Sequence, residues 1–154
     1  MVRVTKDVKK RQTETRQAAR MMKRIIVHFR GQMDEGLRPE GVTTAQLVVL
    51  KAVQDEPGAF GAQLARACHV TPQSAQALLK SLEDGGWILR AKDAVNDRIL
   101  IAKLTPSGVK LLETGEKVAR VIEKRLWEGV PDSAVEALNR TLERCLANLE
   151  GDTS

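Results

Sequence analysis

Gln73, Gln76, Ala77 and Lys80 recur at steps of three and four, so on a helix they share one face. Two carboxamides, a small residue and an ammonium make a hydrogen-bonding surface rather than a reactive one. A glutamine amide donates and accepts at once, which matches the edge that adenine presents in the major groove of duplex DNA. A second group follows: Arg90, Lys92, Arg98 and Lys103, with Asn96 among them and short apolar runs between. Cations on a short, fixed loop suit phosphates or a narrow minor groove. The polar helix face alone reads as the solvated side of an ordinary helix. The basic segment directly after it is what points to nucleic acid.

Elements to position these residues are legible on both sides. Thr71 is an N-cap and Pro72 suits the first helical position. Ala75, Leu78, Leu79 and Leu82 then form a buried stripe on a helix over 71–82, with Ser74 in its first turn. Gly85-Gly86 stops that helix, and Trp87–Arg90 and Ile99–Leu104 are β-rich runs joined by the polar loop Lys92–Arg98, hence a hairpin. Upstream, Gly61–Cys68 reads as a short helix with Leu64, Ala65 and Cys68 inward, and His69-Val70 is a tight connection of the length a helix-turn-helix uses.

Leu64-Ala-Arg, Val70-Thr-Pro-Gln, Leu78-Leu-Lys-Ser-Leu-Glu, Asn96-Asp-Arg and Leu104-Thr-Pro-Ser-Gly together resemble the winged-helix segment of MarR-type transcription regulators. The resemblance extends more weakly over the flanking helices. Asn96 stands where the family commonly has Asp, and no Ser or Thr opens the helix at Gly61. The resemblance implies that the helix after Thr71 enters a major groove and that Arg98 enters the adjacent minor groove. The expected DNA contacts are Thr71, Gln73, Ser74, Gln76, Ala77, Lys80, Arg90, Lys92, Asn96 and Arg98. It also implies a small aromatic or anionic effector, bound in a cleft lined by residues such as His28, Phe29, Arg30, Gln46 and Leu50. His28 itself reads more simply as a core-edge histidine.

Of the 154 residues, the first thirty hold ten Lys/Arg against two acids, while the remainder hold fifteen against eighteen. The net charge of +5 is therefore mostly a property of the N-terminal segment, compatible with nucleic acid but no proof of it. No stretch approaches the roughly 20 apolar residues that span a bilayer, and no secretory signal is recognisable. A cytoplasmic location is expected, with Cys68 and Cys145 reduced and buried on two helices. Enzyme chemistry finds little support. His28 and His69 are far apart, the cysteines are unpaired, no Gly-x-Ser-x-Gly is present, and Glu83-Asp84 reads as a solvated helix end. No catalytic residue, metal site or cofactor is expected.

The flanks are helical. Ala18, Met22, Ile25, Ile26, Phe29 and Met33 form an apolar stripe within a helix over Thr13–Asp34, which Gly36, Pro39 and Gly41 then break. A helix capped by Thr43 or Thr44 carries Leu47, Val48, Leu50 and Val53 to a stop at Pro57-Gly58. After Thr105-Pro106 a long helix carries Val109, Leu112, Ala119, Ile122 and Leu126. Ser133-x-x-Glu136 reads as a capping box opening a last helix with Val135, Leu138, Leu142, Cys145 or Leu146, and Leu149. The first and last helices expose more apolar surface than a winged helix can cover. A second copy is the expected cover, with Met22, Ile25, Leu138, Leu142, Leu146 and Leu149 in the dimer interface.

The fold expected is mainly α with a small β-hairpin (α+β): residues 1–41 as dimerisation helix and linker, 42–104 as winged helix-turn-helix, 105–154 as dimerisation helices. The expected function is a homodimeric, ligand-responsive repressor on a pseudo-palindromic operator in double-stranded DNA. The alternative is a winged-helix module for non-specific nucleic-acid binding or protein interaction, without an effector.

Overall fold

The computed structural model describes residues 2–151, with side-chain surroundings from residue 7 onward. In chain order these residues form α1 (Val2–Leu37), a 3-10 turn (Arg38–Glu40), α2 (Thr44–Asp55), α3 (Gly61–Ala67), α4 (Pro72–Asp84), β1 (Ile88–Lys92), β2 (Leu100–Leu104), α5 (Pro106–Leu126) and α6 (Asp132–Glu150). This is the mainly helical, one-hairpin architecture expected from the sequence. The strands pair antiparallel with Ile88 opposite Leu104 and Lys92 opposite Leu100, and Phe60, just before α3, bridges to Ile101.

Residues up to Ile122 form one compact unit and those from Glu123 onward a second. The core lies in the first. Leu37, Leu50, Leu64, Leu82, Ile88 and Val49 are its largest fully buried side chains, drawn from α1 through β1. Local chemistry fixes the element starts. Thr43 and Gln46 form a reciprocal capping box on α2, and Thr71 Oγ1 accepts from the Ser74 N–H on α4. Thr105 accepts from the Gly108 N–H at α5 and donates to the Gly86 carbonyl, at 3.1 and 2.7 Å, which ties the helix start to the base of the hairpin.

Several sequence expectations are corrected here. Gly36 does not end α1; it lies within the helix, where a Cβ would overlap Val118 of α5. On α2, Val49 points inward and Val48 outward, because the buried stripe is Gln46, Val49, Leu50 and Val53. The inward line of α5 is Gly108, Leu111, Gly115 and Ile122, with Val109 exposed. Its two glycines admit the Trp87 carbonyl and the Leu47 side chain, so small residues mark the face that a count of large apolar ones misses. The Ser133 capping box is not formed: α6 starts at Asp132, two residues earlier than that cap would set, Pro131 occupies the N-cap, and no side chain caps it. Cys145 is exposed in the single chain and Cys68 half-buried. His28 is exposed rather than at the core edge.

The stripes expected on the outer helices are bare. On α1, Met22, Ile25 and Ile26 are exposed, and the helix meets the core only near its end, through Phe29, Met33 and Leu37. No residue of α6 is buried.

Candidate nucleic-acid interface

The turn between α3 and α4 is built by the backbone. His69 takes a left-handed conformation (φ 53°), uncommon for a residue other than glycine. Its N–H donates to the Arg66 carbonyl and that of Val70 to the Ala65 carbonyl, at 3.1 and 3.0 Å. The chain thereby reverses within three residues, and Thr71 is set at the start of α4. Ala75, Leu79 and Leu82 face the core, with Leu78 half-buried. The same helical phase leaves Gln73, Ser74, Gln76, Ala77 and Lys80 on the outside. Ser74 is not a free hydroxyl, since Thr71 Oγ1 donates to its Oγ at 2.9 Å.

The outward face is more constrained than its composition suggests. Lys80 pairs with Asp84 one turn on, at 3.2 Å, both side chains well exposed. Such a pair contributes little and opens readily to another anion. Arg90 on β1 is held more firmly: its Nε and Nη2 donate to Glu83 Oε2 at 2.9 and 2.7 Å, and its Nη1 donates to Gln76 Oε1 at 3.3 Å. The other end of the Gln76 amide lies against Gly61, where a Cβ would overlap it. Sequence reasoning placed Gln76 and Arg90 together on a DNA-facing surface. It missed that Glu83 joins them, and it read Glu83 as a solvated helix end.

At the hairpin tip, Asp93 Oδ2 accepts from the Val95 and Asn96 N–H groups at 3.2 and 3.1 Å, and Asn96 Oδ1 accepts from the Arg98 N–H at 3.2 Å. These local bonds set the loop shape, so the Asp93 carboxylate is committed to the backbone of the tip. Asn96 holds the backbone of Arg98 rather than its guanidinium. Among the described residues no ion pair holds that guanidinium, neither Asp93 nor Asp97. Arg98 lines an open cleft of about 270 Å³ with Gln76, Arg90 and the start of α3. Lys92 is exposed at the end of β1.

The five residues expected around an effector are not gathered. Leu50 is fully buried, and Gln46 is committed to Thr43 and, through Nε2, to Ser81 Oγ at 2.7 Å. His28 and Arg30 are exposed on α1, and Phe29 packs on the core. The open cleft of this region, about 470 Å³, lies instead among Met33 of α1, Leu47, Val48, Lys51 and Gln54 of α2, and Val109, Leu112 and Ala119 of α5. Its walls are mainly apolar, but Glu113 and Glu116 of α5 and Lys51 also line it, and Asp55 accepts from Lys51 Nζ at 2.7 Å.

Two titratable groups are displaced. Hydrogen bonds from the Thr44 hydroxyl and N–H, with Arg30 nearby, hold the Asp34 carboxyl below its ordinary range. Burial, and then the charge of Glu56, push the Cys68 thiol up, so it stays protonated at neutral pH. Among the described residues no helix is long and apolar enough to cross a membrane.

The sequence profile of the MarR family matches residues 40–99, from the end of α1's connection through the hairpin tip. The HTH-type transcriptional repressor Rv2887 of Mycobacterium tuberculosis is 31% identical over 124 residues, covering 80% of this chain and 89% of that protein. The solved structure of Rv2887 in complex with salicylic acid superposes with a TM-score of 0.64 at 30% identity, over 81% of this chain and 93% of that one. MepR of S. aureus, solved in complex with DNA, shares the fold with a TM-score of 0.77 at 23% identity, over 84% and 96% of the two chains. With the helix-turn-helix, the first hairpin strand and the basic tip inside the matched segment, and a repressor relative 31% identical across most of its length, the chain belongs to the MarR family.

Proposed function

We propose that the protein is a sequence-specific transcription regulator of duplex DNA, a homodimeric repressor of a pseudo-palindromic operator that answers to a small ligand. The observation that carries the reading is the exposed Gln73, Gln76 and Ala77 face of α4, set beside a hairpin tip whose Arg98 guanidinium has no ion-pair partner among the described residues. The carboxamides suit base edges in a major groove, and the Arg98 guanidinium suits the electronegative minor groove alongside. Residues 42–104 carry both. The bare apolar stripes of α1 and α6 support a second copy, and a two-fold pair presents two recognition helices to successive major grooves. The names of its relatives favour a regulator over an enzyme, and a cytoplasmic location follows from that role.

The ligand reading rests on the cleft between α1, α2 and α5. Its apolar walls, with Lys51, Glu113 and Glu116 as the charged residues of the lining, suit a small, largely apolar aromatic molecule, and the salicylic acid bound by Rv2887 is a small aromatic. The deciding experiment is a gel-shift of a DNA fragment from upstream of the protein's own gene, with excess unrelated DNA. A discrete complex that persists, and that salicylate-like anions dissolve, is the expected result. A smear removed equally by any DNA overturns operator reading and favours non-specific binding.

A further inference from the structure

Gln76 and Glu83 are seven residues apart on α4, two helical turns, and so lie on one face. Arg90 reaches across from β1 and donates to both, using Nη1 on the first and Nε with Nη2 on the second. The side chain of Arg90 is only 17% exposed and that of Glu83 35%. A guanidinium committed on three N–H groups and largely covered has little left to offer a phosphate. Beyond Gln76 lies Gly61, at the first position of α3, with no room for a side chain between the two. Helix α3, helix α4 and the first strand of the hairpin thus meet at one polar contact.

We infer that Glu83, Arg90 and Gln76 form a brace that fixes the angle between the recognition helix and the wing, with Arg90 a positioning residue rather than a DNA ligand. The inference rests on the DNA-binding reading above and deepens it. A major-groove helix and a minor-groove arginine engage together only if their separation is set in advance. The Gly85-Gly86 turn bonds back to α4, with the Gly86 and Trp87 N–H groups donating to the Glu83 and Leu82 carbonyls at 2.9 and 3.0 Å, but these bonds stop where β1 begins. Ladder bonds join β1 to β2, and the side-chain link from β1 back to the polar face of α4 is Arg90.

Charge gives a test of opposite sign. Glu83→Gln removes a negative charge from a DNA-facing surface and releases Arg90, so simple electrostatics calls for tighter binding. The brace calls for weaker binding, by fivefold or more, in fluorescence anisotropy on the operator. Arg90→Lys keeps the cation but cannot span Glu83 and Gln76 with a fixed fork. It should weaken binding as much as Glu83→Gln while leaving the salt dependence unchanged. Both variants together should be no worse than either alone, since each breaks the same link. In the absence of DNA, amides of 88–104 should exchange faster in both variants and those of α2 should not. Unchanged or tighter binding by Glu83→Gln, or full retention by Arg90→Lys, overturns the brace, as does unaltered exchange in the hairpin. If the wild-type protein forms no discrete operator complex, the DNA reading fails, while the exchange measurement still decides whether the brace exists.

Discussion

Helices α4 and α6 are alike as sequences and opposite as parts of the chain. Each is amphipathic, with apolar residues at steps of three and four. On α4 that stripe is closed: Ala75, Leu79 and Leu82 are at most 2% exposed. On α6 nothing is buried; Leu138, Leu146 and Leu149 are 39%, 56% and 75% exposed. Periodicity therefore announces that a face needs a cover without saying where the cover comes from. On α4 it comes from α2, α3 and the hairpin of the same chain. On α6, as on Val8 to Val27 of α1, no described residue of the chain supplies it.

The largest effect that sharpens this contrast is expected from truncating each stripe in turn. Leu82→Ala should cost about 2–5 kcal/mol of stability, whatever the protein concentration, read from urea denaturation at two concentrations. Leu149→Ala should change the dilute, monomeric protein by no more than about 0.5 kcal/mol. Equal losses at both sites would erase the distinction. Next comes Leu142→Asp, which places a charge on the half-buried line of α6. In a dimer that charge is unpaired in an apolar interface, so the variant should sediment as a folded monomer and bind the operator weakly. Retention of a dimer would move the interface away from α6.

The polar sides differ as well. Arg98→Ala should leave Tm and sedimentation unchanged but weaken operator binding about tenfold, roughly 1.4 kcal/mol, and open the flanking minor groove to cleavage reagents. An unaltered footprint would take the hairpin tip off the DNA. The smallest effect belongs to the joint between a bare helix and a covered one, where Asp34 of α1 accepts from the Thr44 hydroxyl and N–H at 2.6 and 2.7 Å. Because these bonds lower the folded-state pKa, the contribution is present above the ordinary carboxylate range and lost as pH falls through the lowered value. Asp34→Asn should cost under about 1 kcal/mol at pH 7. It should also flatten the loss of stability on acidification below about pH 4, the ordinary carboxylate range; an unchanged acid limb would show that other carboxylates govern it.

What the sequence disclosed was what neighbouring residues decide. Thr71-Pro72, Thr43 with Gln46 and Thr105-Pro106 mark helix starts because a cap and its donor lie within four residues. The stripe of α4 and the hairpin strands follow from period. The hidden parts depend on partners distant in sequence or on small residues. Gly36 reads as a break until Val118 is known to fill the space beside it. Gln46 reads as a cleft wall until Ser81, thirty-five residues away, takes its amide. Ser133 matches a capping pattern, yet Pro131 is already extended (φ −70°, ψ 148°) and starts the helix first. The link from Glu83 through Arg90 to Gln76 crosses a turn whose geometry no local rule supplies.

The long reach of α1 has a mechanical consequence. From Val8 to Met33, the first buried residue of the helix among those described, is about 38 Å at the usual rise per residue. A straight rod of that length clamped at one end behaves as a lever with Asp34 and Thr44 at its fulcrum. A tilt of about 5° there displaces the tip by about 3 Å, comparable to half a helical turn. Conversely, any body that grips the tip acts on the start of α2 with high leverage and small travel, so a weak hold at one end can set the angle at the other.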